Sequence, residues 1–370
     1  MLNTRRRFLQ GAVSAGLYAG LYAGLHAGLG ATGLRMPALA QSTGLGPAPM
    51  MPGLHHVDTN GMRMAVYEQG SGPAVVFCHG FPELALSWRN QIGPVAAAGF
   101  HAIAPDQRGY ALTGGSDDVA DYGMDVFCAD LIGMLDAKGI DKAVFVGHDW
   151  GGAVVWTLAR VYPDRCLGVI GLNTAAYRPG NLPPVQGSEP SLIVRTADYY
   201  FNTFQEPGRA EAVLEADVRK SFDFFLSRGG MWNKEVFAGL PEDSPQRRMD
   251  FLGMLQQGIE PGEPFLSPEV MDYYVSAYQA TGFTGGLNWY RSAMRTAVAL
   301  ANARNTIDVP CLYIGAEHDV ILPPASADGM EDFIADLEKV TVQDSGHWTQ
   351  QEQPEEVNRI IVDWLARKIA

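Results

Sequence analysis

The residues best equipped for chemistry sit in one hexapeptide, Gly147-His148-Asp149-Trp150-Gly151-Gly152. The apolar run Ala143–Val146 leads into it, and a helical pattern follows. Its glycines permit a sharp strand-to-helix turn without a Cβ clash. Such an elbow exposes its central side chain above a sheet, beside a helix N-terminus whose N–H groups favour negative charge. Here that side chain is the Asp149 carboxylate, at a position where comparable elbows carry serine. No Gly-x-Ser-x-Gly occurs in the chain to compete with it. A carboxylate that attacks a saturated carbon makes an ester, which water can cleave. A serine there would make an ether, and turnover would stop. The competing reading is an aspartate that merely caps a helix, and the hexapeptide alone leaves it open.

Three further motifs follow strand-like runs. His79-Gly80-Phe81-Pro82 comes after Ala74–Cys78 and offers the Phe81 N–H to pair with that of Trp150 as an oxyanion hole. Gly315-Ala316-Glu317-His318-Asp319 comes after Cys311–Ile314 and offers an acid. Asp344-Ser345-Gly346-His347-Trp348 comes after the final strand and offers a histidine base. The order Asp149, Asp319, His347 is the nucleophile–acid–histidine order of the α/β-hydrolases. An isolated His347 would read as a packed or surface histidine; the other parts reverse that reading. Glu317 and Asp344 are rival acids, less well placed, with Glu317 kept as the backup.

The elements needed to hold these motifs are visible in the pattern. Strands are expected at Met62–Glu68, Ala74–Cys78, Phe100–Ala104, Ala143–Val146 and Leu167–Leu172. Helices separate the later ones, at Leu84–Ala98, Asp125–Ala137 and Ala153–Tyr162. Strands alternating with helices imply a mostly parallel sheet covered on both faces. After Thr174 the chain turns largely helical, with breaks at Pro183–Pro184 and Pro241, until Ile307. Strands at Cys311–Ile314 and Val340–Val342 and a helix at Pro354–Ile369 complete the core. The expected organisation is a flexible Gly/Pro/Ser-rich leader at 41–53, a core in two parts at 54–178 and 306–370, and a helical cap at 179–305.

Residues 55–370 resemble the epoxide hydrolases of the α/β-hydrolase fold, in particular the hydrolase domain of soluble epoxide hydrolase. The matching stretches are His79–Glu83, Gly147–Gly152, Phe204-Gln205-Glu206-Pro207-Gly208, Leu287-Asn288-Trp289-Tyr290-Arg291 and Gly346-His347-Trp348-Thr349-Gln350. The resemblance implies an eight-stranded, mostly parallel sheet with an inserted helical cap. It implies two cap tyrosines that bind the epoxide oxygen: Tyr290, in Asn-Trp-Tyr-Arg, and Tyr200, four residues before Phe-Gln-Glu-Pro-Gly. Tyr199 adjoins the latter, so a slip of one residue is open. His79, Pro82 and Trp348 are expected to line the substrate pocket. The sequence departs from the family after Gly109-Tyr110, where Ala111 stands in place of the usual glycine.

The implied reaction converts an epoxide and water to a vicinal diol, with no metal or organic cofactor. Asp149 opens the ring, two phenols meet the charge on the ring oxygen, and His347, oriented by Asp319, activates water against the ester. A haloalkane dehalogenase would use the same ester, but it wants a second N–H donor after His-Gly, where Phe81 has none. A fluoroacetate dehalogenase would want an arginine at the position of Trp150. A non-catalytic binding protein would not need the full set of parts.

Composition narrows the partners. The N-terminal Thr4-Arg5-Arg6-Arg7-Phe8-Leu9-Gln10 fits a twin-arginine export signal, followed by a weakly apolar stretch and a cleavage site at Ala38-Leu39-Ala40. Removing residues 1–40 changes the formal charge from -14 to -18, with 23 basic residues against 41 acidic. So acidic a surface repels nucleic acid and anionic lipid. A periplasmic or secreted enzyme acting on a neutral small molecule is expected. Cys78, Cys128, Cys166 and Cys311 all lie in apolar runs and read as buried thiols, without metal-ligand spacing.

Overall fold

A computed structural model describes residues 44–177, 192–295 and 303–370. The signal at 1–40, leader residues 41–43, the Pro183–Pro184 break and the first core–cap boundary lie outside the described residues. Among the described residues there are ten strands: β1 Leu54–Thr59, β2 Met62–Gly70, β3 Ala74–Cys78, β4 His101–Pro105, β5 Ala143–His148, β6 Cys166–Leu172, β7 Ser227–Arg228, β8 Glu263–Pro264, β9 Cys311–Ala316 and β10 Leu337–Val342. Eight of them form one sheet in the order β1-β2-β4-β3-β5-β6-β9-β10. Only the β1/β2 and β2/β4 pairings are antiparallel. β3 and β5 are buried along their whole length. That is the signature of central parallel strands with both faces covered.

Helices α1 Arg89–Ala97, α2 Met124–Ala137 and α3 Trp150–Val161 follow the early strands. The region expected as one helix from Leu84 divides into a 3-10 turn at Ala85–Trp88 and α1. β1 went unread in the sequence. Its hairpin with β2 turns at Asn60-Gly61, both at positive φ (42° and 76°). That pair suits the tight turn matching strand twist.

Between β6 and β9 the described chain is an insertion of helices: α4 Tyr200–Thr203, α5 Arg209–Leu214, α6 Val218–Phe225, α7 Lys234–Gly239, α8 Phe251–Gln257, α9 Pro268–Thr281 and α10 Thr284–Arg291. The small β7–β8 ribbon lies among them. Two last helices, α11 Thr349–Glu352 and α12 Pro354–Lys368, follow β10. Residues 44–53, expected as a flexible leader, are instead docked. The Ala48 N–H donates to Tyr67 Oη of β2 at 2.9 Å, and Tyr273 Oη of α9 donates to the Gly46 carbonyl at 3.1 Å. Leu45 and Met51 pack on the core, which a composition rich in Gly and Pro does not reveal. The four cysteines are free and buried. Among the described residues, no helix is long and apolar enough to cross a membrane.

Candidate active site

β5 ends at the elbow, and Asp149 sits there with φ 52° and ψ -120°, a conformation costly for a non-glycine residue. Close packing enforces it. A side chain at Gly151 would run into the Cys78 carbonyl, and one at Gly147 into the Gly151 backbone. Asp149 occupies the N-cap position of α3, yet its side chain makes no capping hydrogen bond. The helix-cap reading therefore fails, and the carboxylate is held for something else. The Phe81 N–H donates to its Oδ1 at 2.9 Å, and the Trp150 N–H also reaches the carboxylate. Burial raises its pKa against the opposing pull of His347.

Oδ2 of Asp149 lies 3.9 Å from His347 Nε2. On the other side of the ring, His347 Nδ1 is 2.9 Å from Asp319 Oδ2. Asp319 is fully supplied with donors. Its Oδ1 accepts the N–H groups of Ile321 and Leu322, and its Oδ2 also accepts Asn173 Nδ2 at 2.7 Å. Burial alone would raise the Asp319 pKa, but the histidine and these donors hold it well below the usual carboxylate range. Glu317, the backup acid, is turned away and accepts the Asp344 N–H at 3.0 Å.

A cavity opens onto Asp149 and His347. Its lining also includes Phe81, Tyr200, Phe204, Phe225, Trp232, Phe251, Tyr290, Ile321 and Trp348. The lining takes in Tyr200 and not its neighbour Tyr199. Tyr200 stacks on Phe251 with centroids 4.6 Å apart, and its ring meets that of Tyr290 edge-on at 6.1 Å. Burial raises both phenol pKa values, so both hydroxyls stay protonated as donors. The Trp150 ring meets that of Tyr290 edge-on, with centroids 5.1 Å apart.

The cap motifs lock this arrangement. Asn288 Nδ2 donates to the Asp117 carbonyl, and Trp289 Nε1 to the Arg108 carbonyl at 2.9 Å. Arg291 grips both Glu211 oxygens at 2.8 and 2.9 Å. Gln205 Nε2 reaches the Tyr290 carbonyl at 3.1 Å. Three neighbours of Tyr290 are thus tied down, and the ring between them faces the cavity.

Residues 73–354 match the family described as alpha/beta hydrolase fold. Epoxide hydrolase A of Mycobacterium tuberculosis is 37% identical, over 84% of this chain and 96% of its own length. The chain belongs to the epoxide hydrolases of the α/β-hydrolase fold. Bifunctional epoxide hydrolase 2 of Sus scrofa is 39% identical over 82% of this chain but only 53% of that protein, so the chain spans about half the length of these mammalian relatives. Among solved structures, epoxide hydrolase A from Mycobacterium thermoresistibile matches with a TM-score of 0.71 at 35% identity, over 85% of this chain and 98% of that one.

In this epoxide hydrolase family member, two residues expected to line the pocket do not. His79 is fully buried under its loop, with Nδ1 against the Gly80 carbonyl and Nε2 accepting the Gln107 N–H. Pro82 follows a cis bond from Phe81, and its carbonyl accepts Tyr278 Oη. Both shape the turn that aims the Phe81 N–H. Trp348 does line the cavity, with its indole N–H tied to the Phe225 carbonyl at 2.8 Å.

A buried network beneath the site went unread. His148 Nε2 is 2.7 Å from the His347 carbonyl, and its Nδ1 is 2.8 Å from Glu83 Oε2. Gln350 and Gln351 both donate to the other Glu83 oxygen, at 2.8 and 2.7 Å. Only the elbow's neighbouring residue type hinted at this; the contacts themselves are long-range.

Proposed function

We propose that this protein hydrolyses epoxides to vicinal diols through a covalent ester on Asp149. The observation that carries the reading is the placement of two buried phenols, Tyr200 and Tyr290, on one cavity with Asp149 and His347. In the first half-reaction Asp149 attacks a ring carbon, the C–O bond breaks, and the phenols meet the developing alkoxide. In the second, His347 takes a proton from water, which attacks the ester carbonyl while the Phe81 and Trp150 N–H groups hold the oxyanion. On collapse the bond to the alkyl oxygen breaks, that oxygen takes the proton from His347, the proton left on the Asp149 carboxyl returns to the phenol that protonated the ring oxygen, and the diol departs. The lining residues include no lysine or arginine. An aromatic cavity of that kind suits a compact, neutral, apolar epoxide better than a carboxylated one. The relatives named above are called epoxide hydrolases.

A dehalogenase would need free N–H donors for a departing halide. The Phe81 side chain offers none, and the two phenols on the cavity suit an alkoxide oxygen, which favours the epoxide reading. Incubation with styrene oxide should yield diol, and a bromoalkane should release no bromide; bromide without diol would reverse the assignment.

The same proposal extends to location. The twin arginines before a weakly apolar stretch support export in folded form to the periplasm or beyond. Replacing Arg5 and Arg6 with lysine should empty the periplasmic fraction of activity, and unchanged export would rule this route out.

A further inference from the structure

One carboxylate beside the site has no part in the two half-reactions as described. Glu352 ends the short helix α11 and folds back across the loop that carries His347. Its Oε2 accepts the Gly346 N–H at 3.0 Å, and its Oε1 accepts the Trp348 N–H at 2.9 Å. These are the N–H groups of the residues on either side of His347. The His347 carbonyl is held by His148 Nε2 at 2.7 Å. Glu352 thus holds the N–H groups before and after the histidine, while the Gly346 carbonyl accepts Thr349 Oγ1 at 3.0 Å and the Trp348 carbonyl accepts the Gln351 and Glu352 N–H groups at 2.8 Å. Gly346 rests directly on this carboxylate; a Cβ there would fall 3.2 and 3.4 Å from its two oxygens.

We propose that Glu352 is a positioning residue for ester hydrolysis, and that its two-oxygen clamp sets where His347 Nε2 points. The imidazole is hydrogen-bonded at one nitrogen by Asp319, packs against the His148 and Trp348 rings with centroids 4.9 and 4.7 Å away, and is aimed by its backbone. A loop released on the Glu352 side would pivot about Nδ1 and swing Nε2 away from the water that must attack Asp149. Only a carboxylate can do this job. Two N–H donors facing one group need two acceptor oxygens, whereas an amide offers one oxygen and sets an NH2 against the other donor. Ring opening needs Asp149 and the phenols and does not need the histidine as base, so the clamp should matter for one half-reaction alone. The proposal rests on the ester mechanism above.

The test separates the two steps by rapid mixing and intact-protein mass spectrometry with styrene oxide. Glu352→Gln should form the ester at the wild-type rate within about 2-fold, while its hydrolysis slows roughly 10- to 100-fold, as expected for losing one or more strong positioning bonds. Ester should then accumulate in the steady state. Gly346→Ala keeps the carboxylate but presses a methyl onto it; it should show the same selective slowing, roughly 3- to 10-fold, and it decides the matter if Glu352→Gln is not recovered folded. A purely structural role would lower both rates together through loss of active protein. Parallel loss in both half-reactions, or wild-type hydrolysis in folded variants, overturns the proposal. If instead the wild-type protein gives neither ester nor diol, the ester mechanism itself has failed.

Discussion

His347 senses the charge on Asp149. In the free protein, burial opposes protonation of the ring, but Asp319 and then Asp149 outweigh it and raise its pKa to about 9. Ester formation removes the Asp149 charge and with it part of what holds the proton. The histidine is therefore a better base once there is an ester to hydrolyse. Hydrolysis needs the neutral ring, so its single-turnover rate should rise with pH and level off at a pKa below the one His347 shows in the free protein by NMR; an equal or higher value would contradict this. The phenols act in the other step. Tyr200→Phe or Tyr290→Phe should each slow ester formation about 10- to 100-fold, the equivalent of about 1.5–3 kcal/mol for a bond to a charged group. An undiminished rate in Tyr200→Phe would remove that residue from the site. At this scale the sequence was most legible where a motif is short and follows a strand, as with Asp149, Asp319 and His347. It was opaque where partners meet only in space. His148 and the His347 carbonyl are 199 residues apart, and nothing local marks the Asn173 side chain as a donor to Asp319.

Among the elements, α10 shows how a helix without strong intrinsic preference is held in place. Trp289 stacks flat on Phe127 of α2, with centroids 3.7 Å apart, and its indole N–H bonds the Arg108 carbonyl. Trp289→Phe retains much of the stacking and loses the bond. Denaturant unfolding should show a loss of about 1 kcal/mol, and ester formation should slow more than hydrolysis because Tyr290 is the adjoining residue; an unshifted midpoint would mean the bond carries nothing. The strands that alternate with helices were readable because both faces are buried and the apolar runs are continuous. β1 was not, since Leu54-His55-His56-Val57 mixes polar and apolar residues, and only Asn60-Gly61 announced its hairpin. The docked segment at 44–53 was hidden for a related reason. It is held by Tyr67 and Tyr273, residues far along the chain, and not by any pattern of its own. Ala111 answers the departure after Gly109-Tyr110: it is buried at φ 39°, so alanine takes the turn that glycine usually takes in the family.

For the molecule as a whole, the charged site should leave a mark on stability. The raised pKa of His347 stabilises the fold fully below about 6.5, and that contribution is lost as pH rises through about 9. The depressed pKa of Asp319 stabilises it above about 3.9 and is lost only as pH falls through it. Asp106 is a buried acid whose Oδ2 has no hydrogen-bond partner, and burial pushes its pKa up to about 7. Its charging costs stability progressively above about pH 4. Both trends point the same way, so Tm should fall from about pH 4 to about pH 9, up to about pH 7 through Asp106 and beyond about 6.5 through His347, and Asp106→Asn should remove the first part of that fall. A Tm that climbs with pH across this range would contradict the assignment. The ester itself is tested most directly by weighing the protein. His347→Gln treated with styrene oxide should gain the mass of one whole epoxide, and digestion should place it on the peptide that carries Asp149. No gain in mass, or an adduct on any other residue, would contradict the account.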